Sequence, residues 1–297
     1  MQQVSKTSAT NLNVPEYLLE GFHFNDRGVV IRKLNKIAAI GIDSLHLVSD
    51  FDLTLTAGKQ PGQNLGTWDV MDELMPAEGV QRHMEIYQSF RPIELRGQLT
   101  SEIASEKWAE TLDLITSYRM SIDDVEGAFL SVATLRDGAK ELFDACQEGR
   151  VPTVILSSGI RNVIQLMAEH YKLRPDYILS NDLNVDEKTR RVVGWYRDTL
   201  IHMLNKNERG HNELSALRAT RPNVILIGDV PDDTKMVLGD NVIRVRVLDP
   251  RKNEIHIPEE ALEVSFHAGY DLVVEHSLYA VSRIIKWIAG QDKAEPV

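Results

Sequence analysis

The sequence predicts an α/β protein: a parallel sheet with helices on both faces and a helical subdomain inserted after one of its early strands. Three observations carry this. Short apolar runs end abruptly in polar residues at LHLVS before Asp50, TVIL before Ser157 and ILIG before Asp229. Segments with apolar residues at helical spacing separate most of these runs. Between Asp69 and Ser131 about sixty residues keep a helical pattern with no strand, far more than a crossover helix of about a dozen residues requires.

The elements follow in order. The stretch MQQVSKTSATNLNVPEYLLEG has no basic-then-apolar pattern and reads as a lead-in over residues 1–30. Leu45 to Ser49 is a buried strand that delivers Asp50 and Asp52 to its C-terminal end, where open α/β sheets bind ligands. Residues 63–131 form the cap, in which Trp108, Leu112 and Ile115 repeat at helical spacing. The core takes residues 31–62 and 132–297.

Within the second part of the core, Ala139, Leu142, Phe143 and Cys146 share a helical face, which Gly149 ends. Thr153 to Leu156 is the next strand. Ile160, Val163, Ile164, Met167, Ala168 and Tyr171 make the strongest helical stripe in the chain. Tyr177 to Leu179, Val224 to Ile227 and Val242 to Val247 read as further strands, and Leu278, Val281, Ile284, Ile285 and Ile288 mark a C-terminal helix.

Composition narrows the function. Among 297 residues, 33 Lys and Arg oppose 44 Asp and Glu, a net charge of −11, which disfavours nucleic-acid polymers and anionic membranes as partners. No apolar run reaches the roughly 18 to 20 residues needed to span a bilayer. One cysteine, Cys146, forms no intrachain disulfide, so a reducing, cytoplasmic location is expected.

Four clusters can carry chemistry. In VSDFDLTLT two carboxylates one residue apart suit a nucleophile and a general acid/base, although a solvated turn uses the same pattern. In LSSGI, Ser157, Ser158 and Gly159 stand between a strand and a helix and suit a phosphate seat; plain N-capping by Ser158 is the alternative. Lys206 in HMLNKNE is unremarkable by itself. In ILIGDVPDD three carboxylates beyond an apolar strand suit a hard divalent cation, with Mg²⁺ the leading candidate.

Their order, Asp-x-Asp, Ser, Lys and then Gly-Asp-x-x-Asp-Asp, resembles the haloacid dehalogenase-like phosphatase superfamily, whose core is a Rossmann-like sheet. A closer resemblance, over roughly Ile31 to Gly290, is to the cytosolic pyrimidine 5′-nucleotidases: DFDLTLT, FRPIEL, LSSGI, VVGWYRDTLIHMLNKNE and LIGDVPDD are similar to that family. This implies that Asp50 attacks phosphorus to form an aspartyl-phosphate, and that Asp52 protonates the leaving nucleoside and then activates water. It implies Mg²⁺ held by Asp50, the backbone carbonyl of Asp52 and Asp229, with Asp233 in support, and a phosphoryl group bound by Ser157 and Lys206.

Glu94 falls where the family places an acid that reads the base, Ser117 falls near a second polar contact, and Trp108 offers a face for stacking. The expected reaction is Mg²⁺-dependent hydrolysis of nucleoside 5′-monophosphates, CMP and UMP foremost. Another capped phosphatase, such as one acting on phosphoserine, and a nucleotide-binding relative without catalysis are the alternatives. A phosphate-accepting receiver domain has no use for so large a cap.

Overall fold

The computed structural model describes residues 14–58, 66–249 and 256–290. The first part of the expected lead-in, residues 1–13, and the expected core–cap junction at 62/63 lie outside the described residues. In chain order the elements are strand β1 (Phe22–Phe24), helix α1 (Arg27–Ile40), β2 (Leu45–Ser49) and β3 (Thr56–Gly58). The cap helices α2 (Thr67–Leu74), α3 (Ala77–Leu95), α4 (Ser101–Ser117) and α5 (Ile122–Val132) come next, followed by β4 (Ala133–Leu135). The chain continues with α6 (Ala139–Glu148), β5 (Thr153–Ile160), α7 (Arg161–His170), β6 (Tyr177–Asn181), β7 (Leu183–Asp186) and β8 (Arg191–Trp195). It ends with α8 (Asn212–Thr220), β9 (Asn223–Gly228), β10 (Val242–Leu248), α9 (Glu259–His267), β11 (Leu272–Glu275) and α10 (Tyr279–Ile288).

Seven strands form the main sheet in the order β1-β11-β10-β9-β2-β5-β6. Six of them run parallel, as the alternation of strand and helix predicts. β2 lies between β9 and β5, with Ser49 paired to Ile227 on one side and Ile155 on the other. Asp50 and Asp229 follow the ends of β2 and β9, and β5, expected to stop at Leu156, runs on to Ile160, so Ser157 belongs to the strand while standing beside the same crevice.

Side chains alternate between the two faces. Leu45, Leu47, Ile155, Ile225, Ile227, Ile243 and Val245 join the larger core cluster with α1, α6 and α10. Val48, Val154, Leu156, Val224, Leu226 and Val242 join a smaller one with Leu214 of α8.

Two expectations need correcting. Residues expected as lead-in supply β1, which pairs antiparallel with β11 at the sheet edge, and the first turn of α1, capped by the Asp26 side chain accepting from the Val29 N–H at 2.9 Å. The boundary at 30/31 falls inside that helix. A three-residue strand carries too little alternation to announce itself, and Phe22 is held by the core rather than by local pattern. Second, the connection between β6 and β9 is not a simple crossover, because β7 and β8 form an antiparallel hairpin.

The cap is tied to the core at its base and on its flank. At the base, β3 and β4 pair antiparallel, Thr56 opposite Leu135 and Gly58 opposite Ala133. On the flank, the Val192 N–H donates to the Met120 carbonyl and the Ile122 N–H to the Arg190 carbonyl, each at 2.9 Å. Asp113 on α4 accepts from Trp195 Nε1 and from Arg197, both at 2.8 Å.

Candidate active site

The Asp50 carboxylate lies just beyond β2, 6% exposed. Lys206 Nζ donates to Asp50 Oδ1 at 2.5 Å and to Asp233 Oδ1 at 2.8 Å, so one ammonium ties two strand-end acids together. A short 3-10 turn at Pro231–Lys235 folds Asp233 back, where its Oδ2 accepts from the Asp229 N–H at 3.1 Å and the Val230 N–H at 3.2 Å. Gly228 makes room for that return: a Cβ there would lie 2.4 Å from the Cβ of Asp233. Thr54 Oγ1 donates to Asp229 Oδ1 at 3.1 Å and approaches Asp50 Oδ2 at 3.5 Å.

Ligand atoms of Asp50, Asp229 and Asp233 lie within 4.8 Å of one another, an arrangement that can hold a metal ion. The electrostatics fit a cation. Burial, Asp50 and Asp233 push the Asp229 carboxyl well above the usual carboxylate range, and burial pushes Asp233 up against the opposing pull of Lys206. Burial pulls the Lys206 ammonium down, yet Asp50 and Asp233 outweigh it and the net shift is upward. A single ammonium thus faces three clustered carboxylates, leaving negative charge that a divalent cation neutralises.

Asp52 is not in this cluster. Its carboxylate accepts from the Thr67 backbone N–H at 3.0 Å and from Thr67 Oγ1 at 2.9 Å, at the first residue of the first cap helix. Burial, followed by the charge of Asp50, pushes its carboxyl up to about 7. Gly159 closes on the same spot. A Cβ there would stand 2.5 Å from Thr67 Oγ1 and 2.8 Å from Asp52 Oδ2.

The loop after Asp52 turns sharply at Leu53, whose φ of 61° is unfavourable for a leucine. Arg136 holds it there. Its guanidinium donates to the carbonyls of Leu53 at 2.5 Å, Thr54 at 2.8 Å and Thr56 at 3.2 Å, and forms a two-pronged pair with Asp249 at 2.8 and 2.9 Å.

Ser157 is 1% exposed, and its Oγ accepts from the Gly159 N–H at 3.0 Å. The carbonyl of Ser158 accepts from Asn181 Nδ2 at 2.7 Å and from Trp68 Nε1 at 3.2 Å. Capping by Ser158, the alternative left open by the sequence, is not seen: β5 runs on to Ile160, which precedes α7 with no side-chain cap.

The cap side of the site is aromatic and charged. Trp68 and Trp108 lie 5.6 Å apart between ring centroids, and Lys107 Nζ stands 5.0 Å from the Trp108 ring and 5.1 Å from the Tyr87 ring. Glu94 pairs with Arg91 at 2.9 Å. Burial lowers the Lys107 ammonium, with Glu94 opposing. A further tie from α4 to the core is Ser105 Oγ with His202 Nε2 at 3.0 Å. Ser117 is not part of this group: it sits exposed at the end of α4 and its hydroxyl donates back to the Leu114 carbonyl at 2.6 Å.

Compared with known proteins, residues 53–288 match the family model described as Pyrimidine 5'-nucleotidase (UMPH-1). The chain belongs to this family. The match begins one residue after Asp52, so both aspartates of the first cluster stand immediately before it. Among similar proteins is the 7-methylguanosine phosphate-specific 5′-nucleotidase A of Xenopus laevis, 24% identical, with 88% of this chain and 93% of the relative aligned. The 7-methylguanosine phosphate-specific 5′-nucleotidase of Gallus gallus is 25% identical, with 93% and 98% aligned.

Among solved structures, cytosolic 5′-nucleotidase IIIB bound to cytidine superposes with a TM-score of 0.74 at 20% identity, covering 92% of this chain and 95% of that one. The fold is haloacid dehalogenase-like with a helical cap, and the protein is an enzyme of the 5′-nucleotidase type. Among the described residues no helix is long and apolar enough to cross a membrane.

Sequence reasoning missed Thr67, Arg136, Lys107 and Asn181 as residues of the site. Arg136 follows Thr54 by 82 residues and Asn181 follows Ser158 by 23, so no local pattern joins them.

Proposed function

We propose that the protein hydrolyses pyrimidine nucleoside 5′-monophosphates, CMP and UMP, with Mg²⁺, through an aspartyl-phosphate on Asp50. The observation that carries this reading is the separation of two neighbouring acids. Asp50 faces Lys206, whereas Asp52 is held by Thr67 outside the metal-binding cluster. Asp50, whose carboxylate faces the Lys206 ammonium, is the nucleophile toward phosphorus. Asp52, held with its proton, gives it to the departing nucleoside oxygen and then takes one from the water that cleaves the aspartyl-phosphate.

Lys206, the Ser157 hydroxyl, which the Gly159 N–H orients, and the backbone N–H of Ser158 hold the phosphoryl oxygens and favour the charge that spreads over them in the transition state. Asp50, Asp229 and Asp233, with the backbone carbonyl of Asp52, would hold Mg²⁺. When bound, Mg²⁺ supplies positive charge to the phosphoryl group and orients it. Residues 63–131, the cap, present Trp108 and Glu94 to the base. Buried Cys146, the chain's single cysteine, is compatible with a cytoplasmic setting.

Phosphate release from CMP, UMP, AMP, GMP and phosphoserine, with Mg²⁺ or with EDTA, tests the proposal on wild type and Asp50→Asn. CMP and UMP should lead, and both EDTA and Asp50→Asn should reduce turnover to background. Preference for phosphoserine, or near-wild-type release by Asp50→Asn, would overturn it.

A further inference from the structure

Two neighbouring cap residues, Lys107 and Trp108, keep donors that packing does not use, the Trp108 Nε1 being buried with no partner. Lys107 is 7% exposed, yet its ammonium donates to no acceptor among the described residues. Buried charges are ordinarily paired, because three unused N–H donors are costly to desolvate. The nearby carboxylate is already engaged, since Glu94 pairs with Arg91 at 2.9 Å. Lys107 instead stands over two aromatic faces, at 5.1 Å from Tyr87 and 5.0 Å from Trp108.

Those rings lead to the chemistry. Trp108 packs against Trp68 with the two rings tilted by 33°, and Trp68 donates to the carbonyl of Ser158, between Ser157 and Gly159. We infer that Lys107 sets base selectivity, accepting a neutral base through a carbonyl oxygen and rejecting a base that carries a fixed positive charge. The inference rests on the proposed function in taking this cap face as the base site. Two physical effects act together. The ammonium's free donors await an acceptor, and the ammonium already occupies the aromatic faces that would otherwise attract a cationic ring.

A 7-methylguanine base carries such a charge and guanine does not, while the two share all other ring atoms. Relatives of this chain are named for 7-methylguanosine phosphate. On this inference the present enzyme does not share that preference.

The test compares kcat/KM for GMP and 7-methyl-GMP within each of three proteins: wild type, Lys107→Met, which keeps the length and loses the charge, and Lys107→Arg, which keeps the charge. Using the ratio within one preparation removes any loss from misfolding. Wild type should prefer GMP, the preference should fall about tenfold or more in Lys107→Met, and Lys107→Arg should retain most of it. In parallel, guanosine and 7-methylguanosine, which lack phosphate, are titrated against the same proteins by tryptophan fluorescence, and the binding ratio should change in the same direction. A wild-type preference for 7-methyl-GMP, or a ratio unchanged by Lys107→Met in both measurements, overturns the inference and leaves the nucleotidase reading intact. Absence of nucleotide turnover overturns the nucleotidase reading, and the nucleoside titration then still decides the role of Lys107.

Discussion

Replacing Gly159 by alanine should disable the enzyme through space alone. Gly159 is not in the left-handed region, so alanine meets no backbone strain there. Its Cβ would, however, stand 2.5 Å from Thr67 Oγ1, 2.8 Å from Asp52 Oδ2 and 3.2 Å from Ser157 Oγ. A comfortable carbon–oxygen contact is about 3.3 Å, so Thr67 or the loop must retreat by about 0.8 Å. Overpacking of this kind costs about 1 to 3 kcal/mol of stability. Displacement approaching 1 Å beside the reacting groups costs about a hundredfold in rate.

Steady-state hydrolysis of CMP and urea unfolding would be measured for Gly159→Ala in wild-type and Thr67→Ala backgrounds. The loss should be near a hundredfold in the first and clearly smaller in the second, because removing Oγ1 removes the tightest contact. Activity within threefold of wild type, or equal losses in the two backgrounds, would refute the reasoning.

Arg136→Lys should lower stability by about 3 kcal/mol, since an ammonium cannot serve Leu53, Thr54, Thr56 and Asp249 together, and kcat should fall more than KM rises. A urea midpoint at the wild-type value would contradict this. His46 on β2 is fully buried, with Nδ1 at 2.8 Å from the Arg221 carbonyl, and burial lowers its pKa from 6.5 to about 4. The unfolded chain therefore binds a proton that the folded chain refuses as pH falls from 6.5 to 4, and about 3 kcal/mol of stability present above pH 6.5 is lost across that window. His46→Asn should remove this component of the pH dependence; parallel loss in wild type and variant would show that His46 does not cause it.

Residues whose place is set by their own strand were readable from sequence. Asp50, Ser157 and Asp229 each follow a run of apolar residues, and such a run fixes a buried strand; it marks the end of β2 and nearly that of β9, but not that of β5, which continues to Ile160. Residues whose role is set by a distant partner were not. Thr67 acts on Asp52 across 15 residues with no repeat that links the two, and Lys107 gains its meaning from Tyr87 on another helix. Ser117 shows the converse error, for a polar residue in a cap helix can as readily bond its own backbone as a substrate. The three-residue β1 was missed because length, not hydrophobicity, is what makes a strand visible.

The base of the cap has a consequence for how such enzymes can be recombined. β3 and β4 bring the two ends of the insertion side by side, so the sheet experiences everything between them as a loop already closed. Exchanging the insertion at this ribbon looks like a clean graft of one recognition module for another. It is not clean, because Thr67 and Trp68, at the start of the insertion, are wired to Asp52, Ile160 and Ser158 of the core. A chimera joined at the ribbon would import a foreign partner for the acid along with the foreign pocket. Joined after Trp68, it would keep the native partner of the acid, and the flank ties from Ser105, Asp113, Met120 and Ile122 would be what remains to be matched.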